Sequence, residues 1–202
     1  MTIKKGAPWG VAVQSPKDLR VAPTDRDARE FVVAQRERGT TLHPLGLGGG
    51  DMARTMGGGH GRFPGTVTTA PIDLLRVRAG DRVTWAVAHV VARRTWHRGE
   101  VLFAMNAEFL GAYDVAPRSH PNDGKVDIVY VAADMPWRAR RAAIRRARTG
   151  THLPHPQLST RQVTEYSLRF ARPLVIWVDG VRWATAPELT ITVEPDALTV
   201  YA

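Results

Sequence analysis

The chain has 202 residues, no cysteine, 28 Lys and Arg against 19 Asp and Glu, and a formal net charge of +9. Without cysteine, a disulfide scaffold, thiol catalysis and cysteine-ligated zinc are excluded. No apolar run approaches the ~20 residues of a membrane-spanning helix, and Met1 to Gly6 lack a signal-peptide core, so a cytoplasmic location is expected. The positive charge favours polyanions, namely nucleic acid, anionic lipid head groups or phosphorylated ligands, and equally fits an arginine-rich solvated surface.

Taken in chain order, the first elements read as a short α/β unit. Gly10 to Val13 and Asp18 to Ala22 are strand-like. Thr24 or Asp25 can cap a helix over Ala28 to Arg38, and Gly39 ends it. Thr40 to Gly46 predicts a strand that runs into a glycine loop, and Asp51 to Met56 a short helix. After Phe63 the texture becomes β-rich. Strands are expected over 66–70, 73–78, 81–92, 101–107, 125–132, 162–170, 174–178, 188–193 and 197–201, rich in Val, Thr, Trp and Tyr and separated by Gly, Pro, Asp and Asn. One helix interrupts them, Pro136 to Arg148, with proline near its start and Gly150 beyond its end. On it Ala139, Ala142, Ala143 and Ala147 form a thin apolar stripe, and arginines cover most of the rest. The expected fold class is α+β and β-rich. A short α/β segment (1–62) precedes a β-sandwich (63–202) carrying one Arg-rich helix, with the junction between Gly57 and Gly65.

Several residues invite chemical readings. Gly48, Gly49 and Gly50 lie between a predicted strand and a predicted helix, where glycines let backbone N–H groups approach a phosphate. The loop lacks the Gly-Lys-Ser/Thr of a Walker motif, and a flexible connection explains it equally well. Asp123, in Asn122-Asp123-Gly124, is either a general base or a turn residue bonding its own backbone. His120, His152 and His155 raise the question of zinc, but Pro154 and Pro156 hold the last two in an extended segment, which favours a structural loop. Asn106 either orients a ligand or ties two loops together. Asp179-Gly180 reads as a hairpin turn. No RNP-like strand, zinc finger or helix-turn-helix supports nucleic-acid binding.

Order and spacing of three segments carry a resemblance. Ala116 to Ile128, Gly150 to Pro156 and Val175 to Gly180 follow one another as "APxAxxDDGxxDV", "GxHLxHP" and "VxVDGE" do in bacterial diacylglycerol kinase-like lipid kinases. Residues 100–202 therefore resemble the C-terminal half of that family, whose fold is shared with NAD kinases. Pro44 to Gly57 is similar to the family's "PxGTGNDFARxLG" loop, with Asp51, Ala53, Arg54 and Gly57 at matching positions and Gly50 in place of Asn.

The resemblance implies ATP-dependent phosphorylation of a lipid hydroxyl with Mg²⁺. It assigns Gly48, Gly49, Gly50, Asp51 and Arg54 to the nucleotide, Asp123 to catalysis, and Asn106 and Asn122 to the substrate. The family's "GGDGT" is replaced by Pro23-Thr24-Asp25-Arg26-Asp27, which leaves Asp25 or Asp27 to supply a carboxylate. That loss supports a second expectation, a catalytically inactive homologue that binds a lipid or another anion. Expected partners are a lipid or other anionic small molecule, an anionic membrane touched peripherally at its inner face, and a second copy of the chain.

Overall fold

The computed structural model describes residues 10–58 and 63–202. Part of the expected junction, residues 59–62, lies outside them. The chain forms β1 (Val11–Gln14), β2 (Val21–Ala22), α1 (Asp25–Glu37), β3 (Leu45–Leu47), α2 (Asp51–Thr55), β4 (Thr66–Ala79), β5 (Arg82–Ala86) and β6 (His89–Arg93). It continues with β7 (Val101–Met105), β8 (Phe109–Leu110), β9 (Tyr113–Asp114), β10 (Val126–Val131), α3 (Trp137–Ala147), β11 (Leu158–Val163), β12 (Glu165–Val178) and β13 (Val181–Tyr201).

Strands pair in the order β1-β4-β13-β12-β6-β7-β10-β11, with β5 on β4 and the parallel pair β2–β3 attached to β13. The long strands bend at register shifts, between Arg169 and Leu174 in β12 and between Glu194 and Leu198 in β13. An extra residue on one side of a ladder bends and twists it. The curled sheet thereby encloses a core that includes Leu75, Val77, Leu102, Ile128, Ile176 and Ile191. This is the β-rich, sandwich-like fold expected from the sequence.

A second core joins α1, β3 and α2 to β4 and the end of β13, through Val32, Leu45, Met52, Ile72 and Val200. Residues on both sides of the expected junction thus share one sheet and one core. Strands expected as pairs, 66–70 with 73–78 and 188–193 with 197–201, are each continuous. The run expected over 81–92 is broken at Val87-Ala88, so β6 begins at His89.

Helix α3 matches its expected span, but one arginine departs from the expected solvent-facing set. Arg140 is buried. Its guanidinium donates to the carbonyls of Met135 (3.0 Å), Ala132 (2.7 Å) and Gly99 (2.5 Å), which closes the preceding loop and the β6–β7 connection. Buried charge is tolerated where several acceptors replace water.

Candidate active site

Thr24 caps α1, its hydroxyl accepting the Asp27 N–H at 3.2 Å. Asp25, the first residue of α1, faces α2 instead of solvent. Its carboxylate accepts the N–H groups of Asp51 (2.5 Å) and Met52 (3.1 Å). Gly50 has φ +99°, and a Cβ there would fall 2.5 Å from the Asp25 carboxylate. Only glycine satisfies both demands. Asp51 in turn accepts the Gly111 N–H at 2.9 Å and lies 3.1 Å from His89 Nε2.

Below them, the Asp179-Gly180 turn joins β12 to β13 with φ values of 46° and 78°, as expected of Asp-Gly in a hairpin. The Asp179 carboxylate is buried and accepts three N–H groups, from Val87 (2.8 Å), Ala88 (2.9 Å) and His89 (2.9 Å). Those bonds fix the break before β6, and hence the position of His89. Among the described residues, ligand atoms of Asp25, Asp51 and His89 lie within 4.8 Å of one another.

The electrostatics are tense. Burial, together with the charges of Asp179 and Asp51, pushes Asp25 from 3.8 to about 6 against the two N–H bonds that favour its carboxylate. Burial raises Asp179 as well, opposed by His89 and the three N–H groups. Burial opposes a charged His89, but its bond to Asp51 and the charges of Asp179, Asp51 and Asp25 outweigh this and raise its pKa.

A raised carboxylate pKa gives stability that is present at low pH and lost as pH rises through the folded value. For Asp25 the loss amounts to about 3 kcal/mol above pH 6. Asp25→Asn loses one of the two N–H bonds at every pH, so the linkage shows in the pH dependence: relative to wild type the variant should gain about 2–3 kcal/mol, or roughly 4–12 °C in Tm, between pH 4 and pH 8. Most of that relative change should fall between pH 4 and 6. Thermal melts in EDTA check this, and an equal effect at both ends of the range would contradict it.

The residues assigned from sequence fall into two groups. Gly48 donates to the Ala22 carbonyl (2.8 Å), and a Cβ on Gly49 would meet the Pro23 carbonyl at 2.8 Å. The glycines therefore let the loop approach the chain's own Ala22–Asp25 segment. In the α2 turn the Asp51 and Met52 N–H groups, which a phosphate would use, are bonded to the Asp25 carboxylate. Arg54 stacks on the Phe109 ring (3.7 Å) and donates to the Gly111 carbonyl (2.9 Å), clamping the β8–β9 hairpin over Asp51.

Asp123 belongs to the other group. Its Oδ1 accepts the Lys125 N–H (3.0 Å), and its charge bears on Asp73, Asp127 and His120. Buried Asn106 ties the Asp73 and Val87 carbonyls together, both at 2.8 Å. Asn122, also buried, donates to Asp196 at 2.8 Å. Their amides hold the scaffold. Of the three histidines considered for zinc, His120 Nδ1 accepts the Asn122 N–H and His155 Nδ1 accepts that of Gln157, while His152 is buried, with its Nδ1 unpartnered, and lines the cavity described below.

His89 was hidden from sequence reasoning as a lone histidine in an apolar strand. Asp25 appeared only as one of two carboxylates near a degenerate motif.

A cavity of about 630 Å³ opens beside this cluster. Its floor is the face of β6, β7, β10 and β11 that carries Val91, Phe103, Val129, Val131 and Leu158, and its roof is Met135, Ala143, Ile144 and Ala147. His89 and Gly111, which both bond Asp51, line one end. The size and apolar lining suit a small-molecule site with a few convergent polar groups.

The family model described as "YegS C-terminal NAD kinase beta sandwich-like domain" matches residues 73–202. No curated protein sequence matches the chain. Among solved structures, two that carry the name of a diacylglycerol kinase from Bacillus anthracis str. Sterne share this fold. One is 13% identical with a TM-score of 0.65, covering 91% of this chain and 77% of that one. The other is 12% identical with a TM-score of 0.62, covering 89% and 76%. A third structure, of diacylglycerol kinases from the same organism, is 14% identical with a TM-score of 0.56, covering 80% and 66%. With the match extending over more than half its length, the chain belongs to the family of the YegS C-terminal, NAD kinase β-sandwich-like domain.

Proposed function

We propose that the chain binds a hydroxyl-bearing lipid in the cavity beneath α3, with the hydroxyl at His89. One observation carries the reading: the apolar cavity and the Asp25–Asp51–His89 cluster meet, because His89 belongs to both and Gly111 lines the cavity while donating to Asp51. Burial of an acyl chain supplies about 0.8 kcal/mol per CH₂. Asp51 holds the His89 ring through Nε2 and fixes its orientation toward the cavity. Arg54, stacked on Phe109 and bonded to the Gly111 carbonyl, holds the β8–β9 hairpin against Asp51. On this reading the α2 turn, closed by Asp25, makes the chain a lipid-binding homologue.

A second reading, lipid kinase-like phosphoryl transfer, is favoured by the convergence of two carboxylates and an imidazole at the head-group end. Asp25 and Asp51 offer the oxygen ligands that Mg²⁺ prefers, and the ion would supply positive charge to phosphoryl oxygens. With the carboxylate charges that raise its pKa offset by the ion, His89 would be neutral and could take the hydroxyl proton at its unpartnered Nδ1. Nucleotide binding at the α2 turn requires Asp25 to release the Asp51 and Met52 N–H groups. Asp123 stays outside both readings, since its carboxylate serves its own turn.

Titration with ATP·Mg²⁺ separates the two. Lipid binding alone predicts no saturable signal below millimolar concentration. Saturation, with lipid phosphorylation that falls about 100-fold or more in His89→Ala, would establish transfer.

The roof helix also suits a membrane. Arg138, Arg141, Arg145, Arg146 and Arg148 are exposed, and so are Trp137 and Ile144, the latter lining the cavity. Each basic residue near an anionic surface contributes about 1 kcal/mol. Binding to anionic vesicles should exceed binding to neutral ones, fall with salt, and weaken at least tenfold in Arg141→Glu/Arg145→Glu. Equal retention on both vesicle types would leave α3 as a roof only.

A further inference from the structure

The cavity has a second polar end. His89, Val91 and Arg93 alternate along β6 with their side chains on the cavity floor, so the strand places His89 and Arg93 on the order of 13 Å apart. Between them the surface is apolar.

Arg93 is held in an unusual way. Its guanidinium carbon sits 4.0 Å from the Trp96 ring centroid and 5.3 Å from that of Trp177. Trp96 is itself stacked on Phe103 of the cavity floor, with ring centroids 5.9 Å apart and planes 20° apart. Two indoles thus fix the cation at the cavity wall, an arrangement that suits a weakly hydrated guanidinium. Yet Arg93 Nε is buried and has no hydrogen-bond partner, and no ion pair among the described residues involves Arg93. A buried donor without an acceptor is costly.

The rest of the lining points the same way. Arg140 donates through Nε and one Nη to backbone carbonyls and keeps its other Nη buried and unpartnered, so it adds a second free donor, and no Asp or Glu lines the cavity among the described residues. The Arg93 end therefore has donors and positive charge, and lacks an acceptor.

We propose that Arg93, packed against Trp96 and Trp177, binds the anionic group of an acyl ligand, a carboxylate or a phosphate, whose chain runs along β6 toward His89. This rests on the cavity being a lipid site and names the class of lipid: an anionic single-chain amphiphile in preference to a neutral glyceride. A ligand that also carries a hydroxyl at its far end would meet both polar ends at once.

Tryptophan fluorescence of the full chain reads the event directly, because Trp96 and Trp177 line the site. The probes are laurate, dodecyl phosphate and 1-monolaurin, which share a twelve-carbon chain, each kept below its micelle concentration. Wild type should bind at least one anionic probe tenfold or more tighter than monolaurin. Whichever of laurate and dodecyl phosphate binds tighter identifies the anionic group. Arg93→Gln should abolish the preference while keeping monolaurin affinity, and Arg93→Lys should retain part of it. Equal affinity for charged and neutral probes, or a preference that survives in Arg93→Gln, overturns the anion site and leaves the lipid cavity standing. Failure of all three probes to bind overturns both. Circular dichroism of the variants confirms that each is folded.

Discussion

Ala143→Trp is expected to weaken lipid binding by about 30-fold or more while leaving the chain folded. Ala143 projects from α3 into the cavity roof opposite Phe103 and Val131, in the cluster that also holds Val101 and Leu158. An indole there occupies the space assigned to the acyl chain. A loss of about 2 kcal/mol corresponds to roughly 30-fold in Kd, the burial lost with only two or three CH₂ groups. Folding should suffer little, since the added ring enters existing empty space and not a filled core. Fluorescence titration gives the affinity, and a thermal melt gives the stability. Unchanged affinity in a folded variant would place the lipid elsewhere.

The largest loss of stability is expected at Asp179. This carboxylate accepts three buried N–H groups from Val87, Ala88 and His89, and its charge faces His89. Asp179→Leu leaves those donors unpaired and removes a counter-charge from the buried imidazole. Each unsatisfied group costs about 1–3 kcal/mol, though not additively, so a total of about 4 kcal/mol is expected. For a chain of 202 residues that is a fall of roughly 8–16 °C in Tm. Asp179→Asn keeps one acceptor oxygen and should fall between wild type and the leucine variant. Because Asp179 fixes where β6 begins, its loss should also displace His89 and lower affinity at the head-group end. A calorimetric change below about 1 kcal/mol for Asp179→Leu would show that the Val87–His89 segment is held by other means.

Much of the fold was legible because its signals are local. Thr24 and Gly39 bracket α1, Pro136 and Gly150 bracket α3, and alternation in Glu188 to Val193 marks a half-buried strand. What sequence did not show was continuity. Pro71 falls inside β4 and pairs with Thr199, whereas Pro195 sits in the register shift between Glu194 and Leu198, on both sides of which β13 stays paired with β4. The short hairpin of β8 and β9 was not expected, for its length, and the strand expected over 162–170 merges the end of β11 with the start of β12, the polar, exposed residues 159–161 giving no strand signal.

The site was less legible for a related reason. Gly50, Asp51 and Arg54 stood out through their motif, and the structure does gather Asp51 and Arg54 around Gly111. Asp25 and His89 lie 26 and 38 residues from Asp51 and meet it only through the fold. Asn122 and Asp123 look chemical in sequence because turn residues and catalytic residues use the same side chains. In this chain Asp123 bonds its own turn, and Asn122 bonds Asp196.

The central claim is that the space between α3 and the β6–β7–β10–β11 face holds a lipid. Photolabelling with a diazirine-bearing acyl chain, followed by peptide mapping, tests it most directly. The label should fall on peptides from β7, β10 and α3, around Phe103, Val129 and Ile144, and Ala143→Trp should remove it. Labelling confined to α1 or the outer strand β1, or labelling unchanged in Ala143→Trp, would contradict it.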